Sequence, residues 1–343
     1  MAGSILRWPF QRFRRRNLGH LRPAVTNSER LRLVQTRSTV TPRDRAALPT
    51  SALQRALFAI LCLVWGTTWL ALKAGVTTVP PAFFSGTRWT AAGLILLLWR
   101  WARGHPVGVN RRMAGRLLVV AALMVALNAT IMLYGLRHVG SGLAAVISSA
   151  LTPISLLGFS VAVGQEQFNP RQVGAIALGV AGILVLFGPE AAAGHLDPME
   201  LLGAIGVIVG CLCYTAGSVL ARPLMRTLPP AQVAAMTNLY GGLMLLAGSL
   251  LFEPGARAAL GGNWGAAAWA AWWWLLLPGS LGATIIYFLL VQEWGASRTG
   301  TYAFVSPVIA VLLGVAVYGE RVRLTDAIGM ALMLIAAVVV LRR

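Results

Sequence analysis

The chain has 343 residues, of which 57% are hydrophobic and 11% are charged, with a formal net charge of +19 at pH 7. An average soluble domain carries about 25% charged residues, so the composition excludes a water-soluble globular protein and predicts one that is solvated by lipid. The positive charge does not indicate nucleic acid as a partner. Residues 1–55 alone contain twelve arginines and two acidic residues, and most other arginines lie at the ends of apolar runs, where membrane topology explains them.

Residues 1–50 are rich in Arg, Ser, Thr and Pro and contain no apolar run long enough for a secretory signal. We predict a disordered basic tail on the cytoplasmic side, in a position to contact anionic lipid. The alternatives are an organellar transit peptide, which has a similar composition, and an over-extended start.

Ten apolar runs of about 20 residues follow, a length typical of transmembrane helices. They lack the two-residue alternation of membrane strands. The predicted fold class is therefore an all-α integral membrane protein with ten transmembrane helices. The predicted spans are 56–76, 83–101, 114–134, 141–162, 171–188, 202–221, 232–251, 268–290, 300–318 and 325–341.

Arginines are concentrated after the second and sixth spans, at 100–116 and 222–226, and at the last two positions of the chain, whereas the loop 190–200 is acidic. Because cytoplasmic loops are enriched in Arg and Lys, this asymmetry predicts that both termini are cytoplasmic in a cell inner membrane. The tryptophans between 264 and 274 are then expected to form an aromatic belt at the outer end of the eighth span.

The apolar region contains one unit twice. Near the end of each copy the offset is 154 residues, and near its beginning it is 149 residues. Five helices per copy is an odd number, so the second copy crosses the membrane in the opposite sense, as in secondary transporters with a site near the midplane between the repeats. We predict two five-helix domains, 56–188 and 202–341. The recurring pairs include Pro153 and Pro307, Glu166 and Glu320, Trp65 and Tyr214, Lys73 and Arg222, and Gly93 and Gly242.

Several short motifs point to a family. They comprise Trp65-Gly66-Thr67-Thr68-Trp69 with Lys73, then Pro81, Phe84, Arg88 and Ala92, then Ala144, Ala145, Pro153, Ile154, Glu166 and Gly174. On these residues the chain resembles the drug/metabolite transporter superfamily, in particular its EamA-type ten-helix members, over about residues 56–341. The second copy departs where Tyr214 replaces Trp65 and Thr237 replaces Arg88. The resemblance implies transport of small metabolites, often export, and does not select the substrate.

Lys73 and Arg88 are basic residues within predicted spans, where ionisable groups are costly and usually face a cavity, a partner or the interface. One interpretation is a cationic vestibule that attracts carboxylate or phosphate groups, with Arg222 as the equivalent cation at the inner face. The alternative is that the long side chains extend to lipid headgroups.

Aromatic and amide side chains at membrane depth are the other candidates for a substrate cavity. The competing interpretation is packing and hydrogen bonding between helices, because buried polar groups need partners in either case. Prolines inside three spans are candidate hinges, since proline frees a backbone carbonyl and kinks a helix. The cavity candidates are Trp65, Trp69, Asn128, Tyr134, Tyr214, Asn238 and Tyr287, and the hinge candidates are Pro153, Pro278 and Pro307.

None of the ten acidic residues or four histidines falls at the middle of a predicted span, so we predict no catalytic residue, no metal and no cofactor. The predicted function is secondary transport of a small polar or amphipathic metabolite by alternating access. The predicted partners are a small-molecule substrate and membrane lipid, without nucleic acid, in a monomer or a homodimer. The alternatives are a membrane-embedded enzyme acting on a lipid-linked substrate and a non-transporting membrane sensor.

Overall fold

A computed structural model describes residues 51–135, 138, 141–192, 198–318 and 324–341, and the predicted tail at 1–50 lies outside these ranges. The described residues form helices and connecting turns, with no strand among them. The ten long helices are α1 (Ser51–Val76), α2 (Pro81–Ala102), α3 (Arg111–Ala121, Ala122–Leu127 and Asn128–Gly135), α4 (Ser141–Ala162), α5 (Pro170–Ala192), α6 (Pro198–Ala221), α7 (Pro230–Phe252), α8 (Ala266–Trp274, Leu275–Ala283 and Thr284–Trp294), α9 (Tyr302–Tyr318) and α10 (Leu324–Leu341).

Each predicted span coincides with one of these helices. Seven helical stretches within the described ranges are long and apolar enough to cross a membrane, and two shorter apolar ones lie at Ile147–Ala162 and Pro170–Val185. Helix α2 is neither one of the seven membrane-length stretches nor one of the two shorter apolar ones, and it carries two arginines, Arg88 and Arg100. The all-helical membrane architecture predicted from the sequence is confirmed.

The packing of the helices has the pattern expected for two related halves. Helix α2 packs on α7 and α5 packs on α10, which are equivalent helices of the two copies. Other contacts between the copies come in exchanged pairs, because α4 with α6 corresponds to α9 with α1, and α3 with α6 corresponds to α8 with α1. An approximate two-fold axis therefore relates the copies, and each half contributes helices to the interface with the other.

Helices α2 and α7 cross at unusually close range, and glycine makes this possible. A Cβ atom added to Gly93 would lie 2.4 Å from the backbone nitrogen of Leu239, and one added to Gly242 would lie 2.4 Å from the backbone nitrogen of Thr90. These two glycines are equivalent in the repeat. Small residues let helix backbones approach within membranes, so the same position in each copy forms the contact between the copies.

Both α3 and α8 contain a π-helical segment, at Ala122–Leu127 and Leu275–Ala283 respectively. The two segments are equivalent in the repeat, because the 154-residue offset aligns the first with the second. Pro278 lies in the second segment, whereas the first contains no proline. Because π segments often occur at functional sites, and because this one occurs in both copies, the irregular backbone is a property of the repeated unit and does not depend on Pro278.

The tryptophans near α8 differ from the expected aromatic belt. Trp264 is 7% exposed and stacks on Trp269 with ring centroids 4.2 Å apart. Trp272 is also buried, whereas Trp273 and Trp274 are about half exposed. The belt prediction was wrong for Trp264 and Trp272, because these rings pack against the beginning of α2 and contribute to the core there.

The start of α2 is held by a carboxylate from the end of α7. Glu253 accepts hydrogen bonds from the backbone nitrogens of Ala82 at 3.0 Å and Phe83 at 2.9 Å, and Ser249 donates to it at 2.5 Å. The first backbone N–H groups of a helix have no partner within the helix. A negative charge at this end also interacts favourably with the helix dipole, so Glu253 supplies the cap that Pro80 cannot.

Candidate functional site

A cavity of about 350 Å³ lies between the two halves. Eight of the ten helices contribute to its wall, and α5 and α10 pack on each other away from it. The volume is within the range of small-molecule sites. Its wall combines aromatic rings with hydroxyl and amide groups, including Trp65, Ser85, Arg88, Trp89, Asn128, Ser148, Thr152, Tyr214, Thr237, Asn238, Ser280, Thr284, Tyr287, Tyr302 and Ser306.

The lining follows the two-fold relation of the repeat. Residues that correspond through the 149- or 154-residue offset line the cavity from opposite halves: Trp65 and Tyr214, Arg88 and Thr237, Trp89 and Asn238, Ser148 and Tyr302, and Thr152 and Ser306. The cavity is thus centred on the approximate axis. The chemistry of the pairs differs, since the charge of Arg88 faces a neutral Thr237 in the other copy.

Arg88 is the charged residue among the described residues of the wall, and it is 8% exposed. Its guanidinium donates a hydrogen bond through Nη1 to Ser280 Oγ and lies 4.6 Å from the centroid of the Trp89 ring. Its Nε is buried without a hydrogen-bond partner. Placing an arginine at the centre of a membrane span costs about 3 kcal/mol on insertion scales, so two neutral contacts leave this cation incompletely compensated.

The two candidate asparagines connect the cavity wall to the backbone of neighbouring helices. Asn238 donates through Nδ2 to the carbonyl oxygen of Ser280 at 3.0 Å. Asn128 donates in the same way to the carbonyl oxygen of Gly210 at 2.9 Å. Ser280, which lies in the π segment of α8, therefore accepts a hydrogen bond from Arg88 at its hydroxyl and another from Asn238 at its carbonyl.

Four aromatic side chains, Trp65, Tyr214, Tyr287 and Tyr302, pack together and form what we call the aromatic cluster. The ring of Trp65 lies 4.5 Å from that of Tyr302 and 5.2 Å from that of Tyr287, centroid to centroid. Tyr302 donates a long hydrogen bond of 3.4 Å to Tyr214, and Tyr287 is hydrogen-bonded to Ser218. The cluster offers flat apolar faces together with hydroxyl groups.

The structure brings many of the sequence candidates together. Of the cavity and hinge candidates, Trp65, Arg88, Asn128, Tyr214, Asn238, Tyr287 and Pro307 line the cavity, whereas Pro153 and Pro278 do not. The side chains of Trp69, Lys73 and Tyr134 lie outside the described part of the chain. Arg222 is not part of the described lining, and its Nη1 donates to the carbonyl oxygen of Gln165 at 3.2 Å.

Sequence reasoning missed Trp89, Tyr302 and Ser280. Applying the repeat offset to the candidates would have identified Trp89, because it is the equivalent of Asn238. Tyr302 could have been identified from its position, because it lies one helical turn before Ser306 on α9, on the face that also carries Pro307. Ser280 had no sequence signal, because its role depends on the irregular backbone of α8.

A second group of polar contacts lies where the turn after α4 meets the turn before α9. Glu166 accepts a hydrogen bond from the backbone nitrogen of Ser297 at 3.3 Å and another from its hydroxyl. Gln172 also donates to the Ser297 hydroxyl, at 2.7 Å. Gly295 has a φ of +90° and no room for a side chain, because its Cβ would lie 2.6 Å from the Glu166 carboxylate. The two turns are therefore tied together.

Within the described ranges, no group of three His, Cys, Asp or Glu side chains is placed to hold a metal ion. The fold and the site define a class: a polytopic helical membrane protein built from two copies of one unit, with a small-molecule cavity between the copies.

Comparison with known sequences identifies the family. The sequence profile of the EamA-like transporter family matches residues 55–188 and again residues 201–342. The chain belongs to the EamA-like transporter family, and so is a multi-pass membrane transporter that contains two copies of the EamA unit.

Individual relatives agree with this assignment. The chain is 32% identical to the inner membrane transporter YedA of Escherichia coli K12 over 301 residues, which covers 87% of this chain and 92% of YedA. It is 26% identical to the transporter YoaV of Bacillus subtilis, over 78% of this chain and 89% of YoaV. A solved crystal structure that is 22% identical superimposes with a TM-score of 0.71, covering 83% of this chain and 95% of the other, and this likeness shows the fold alone.

Proposed function

We propose that the protein is a secondary transporter that carries a small polar or amphipathic metabolite across the inner membrane by alternating access. The observation that supports this most directly is the position of the cavity on the approximate two-fold axis, with equivalent residues of both copies in its wall. In a repeat that crosses the membrane in opposite senses, exchanging the conformations of the two copies moves the opening from one side to the other.

In this proposal the hydrogen-bonded turns around Glu166 and Ser297 close one of the two routes into the cavity. We propose that both termini, and these turns with them, lie in the cytoplasm, as the arginine-rich loops favour. Their hydrogen bonds then close the cytoplasmic route while the cavity is accessible from the opposite side. The equivalent of Glu166 in the second copy is Glu320, and we propose that it closes the outer route when the inner one opens; Glu320 lies outside the described residues.

The roles of individual residues follow from their positions. We propose that Trp65, Arg88, Asn128, Tyr214, Asn238 and Tyr287 contact substrate in the cavity, together with Trp69 and Tyr134 from the sequence prediction. Lys73 belongs in this proposal to the cationic vestibule through which substrate reaches the cavity. Pro153, Pro278 and Pro307 are proposed as hinge positions. We further propose that residues 1–50 are a basic tail and that 56–188 and 202–341 are the two domains. In this proposal the substrate is moved without chemical change, by a monomer or a homodimer.

Flux into proteoliposomes tests this function. Purified protein is reconstituted and offered a pool of labelled amino acids, organic acids and drug-like amines, in vesicles preloaded with the same pool or left empty. We expect saturable uptake of at least one compound. It should be lost in Trp65→Ala, which removes a wall of the cavity, and kept in Trp101→Ala, whose ring is 69% exposed at the far end of α2.

Two results would contradict transport. One is the absence of flux for every compound from protein shown by circular dichroism and gel filtration to be folded. The other is uptake that Trp65→Ala and Trp101→Ala reduce equally. A sensor that signals through the basic tail would instead lose its output when residues 1–50 are deleted, whereas a carrier keeps its flux.

A further inference from the structure

We propose that the substrate is a monoanionic organic acid with an aromatic or apolar body, whose carboxylate is held by Arg88 and whose body lies against the aromatic cluster. This inference rests on the proposed transport function and specifies its substrate class. It is carried by the charge, burial and hydrogen bonding of the described cavity wall.

Arg88 supplies the positive charge of the described cavity wall. Arg88 is more than nine-tenths buried, and its hydrogen-bond partner and ring neighbour, Ser280 and Trp89, are both neutral. Among the described residues that line the cavity there is no aspartate, glutamate, lysine or histidine. A buried cation normally has an anionic partner. An anion arriving in the cavity supplies that partner and is attracted strongly, because the surroundings are poorly screened.

The guanidinium of Arg88 has a shape that suits a carboxylate. The Nε of Arg88 has no hydrogen-bond partner, while Nη1 is taken by Ser280. A guanidinium offers five donors in a planar fork that matches the two oxygens of a carboxylate. The hydroxyl of Thr237, which occupies the equivalent position in the other copy, is also buried without a partner. The wall of the cavity therefore contains buried polar groups without a hydrogen-bond partner beside one positive charge.

The aromatic cluster lies further along α8 from Ser280, which anchors Arg88. Ser280 and Tyr287 lie seven residues apart on α8, which places the anchor for Arg88 and the aromatic cluster roughly 10 Å from each other along the helix. A carboxylate joined to a ring by two or three carbon atoms bridges the two groups, with a hydrogen bond at one end and ring packing at the other. The faces of Trp65 and the tyrosines suit an aromatic or apolar body.

The described cavity wall also limits the number of charges that the substrate carries there. One described cation lines the cavity, so one negative charge neutralises it, whereas a phosphate monoester near neutral pH brings close to two. A zwitterion would add an ammonium group that has no carboxylate partner among the described lining residues. The arrangement thus favours a monocarboxylate over a phosphate ester or an amino acid.

Binding measurements on the full chain in lipid nanodiscs test the proposal directly. The probes share one aromatic body: 3-phenylpropionate, its uncharged analogue 3-phenylpropionamide, the zwitterion L-phenylalanine and the dianion phenyl phosphate, with acetate as a carboxylate without a body. We expect 3-phenylpropionate to bind at least about tenfold more tightly than each of the others, a factor equivalent to 1.4 kcal/mol.

Variants locate the charge. Arg88→Gln should abolish the preference for 3-phenylpropionate over its amide, and Arg88→Lys should keep part of it, because the charge remains but the fork is lost. Arg103→Gln is the matched control, since Arg103 lies on an exposed turn at the end of α2. The comparison of carboxylate with amide on the unaltered protein remains informative if Arg88→Gln does not fold.

The proposal is overturned if the amide or the zwitterion binds as tightly as the carboxylate, if Arg88→Gln keeps the preference, or if no anionic probe binds at millimolar concentration. Flux separates this failure from failure of the transport function. A carrier that moves neutral or cationic compounds independently of Arg88 refutes the substrate class and leaves transport standing. Carboxylate binding through Arg88 without flux of any probe supports the anion site and contradicts transport.

Discussion

The close crossing of α2 and α7 predicts how much stability the protein loses when a methyl group is added at the contact. Gly93→Ala would place a Cβ atom 2.4 Å from the backbone nitrogen and 2.6 Å from the Cα of Leu239, where ordinary contact begins at 3.4 Å. The obstacle is backbone, so no side-chain rotation relieves it and the helices must separate by about 1 Å. Overpacking of this kind typically costs about 1–3 kcal/mol, and we expect that loss of stability.

The same reasoning predicts an equal loss for Gly242→Ala, whose Cβ would meet the backbone of Thr90 from the other copy at 2.4 Å. Gly248→Ala on α7 is the matched control, because no atom lies within 4 Å of its Cβ position; alanine there gains up to about 1 kcal/mol of helix propensity. The assay is thermal unfolding of detergent-purified protein followed by circular dichroism. Equal melting temperatures for Gly93→Ala and Gly248→Ala would refute the close-packing argument.

Three further substitutions test other contacts. Glu253→Ala should lower stability by about 1–2 kcal/mol in the same unfolding assay, because the first N–H groups of α2 lose their acceptor; unchanged melting would show that the cap is not needed. Pro278→Ala should lower flux, because a hinge at this position needs the carbonyl that proline frees; unchanged flux would show that the π segment works without its proline, as the equivalent segment of α3 forms without one. Ser297→Ala should raise labelling of a cysteine placed at Gln165 from the cytoplasmic side, because the tie to Glu166 weakens; labelling equal to that of the parent would exclude this closure.

The helices and their pairing could be predicted from sequence because the governing patterns are local. Apolar runs of membrane length define the helices, and the offsets of 149 and 154 residues define the two copies. The same offsets predicted that Trp65 and Tyr214 are equivalent, and both line the cavity. Gly93 and Gly242 were recognised as a pair, although the sequence did not show that they meet helices of opposite copies.

What the sequence could not show depends on irregular backbone and on the direction of side chains. Hydropathy does not distinguish a π segment from an α-helix, so Ser280 gave no signal, although it receives Arg88 and Asn238. A run of tryptophans at a helix end predicts an interfacial belt. Trp264, Trp269 and Trp272 instead pack with each other and against the start of α2, whereas Trp273 and Trp274 on α8 are about half exposed.

The ties between α2 and α7 have a consequence for which parts of the molecule move. Glu253 holds one end of the pair, the glycines hold the middle, and at the other end Arg100 donates to Gln232 at 3.2 Å. Because these helices belong to opposite copies, a rocking of one whole copy against the other would break all three contacts. In a transport cycle that keeps these three contacts, α2 and α7 stay together as one rigid pair. The remaining helices then rearrange around this pair, while Arg88 and Asn238 stay in place.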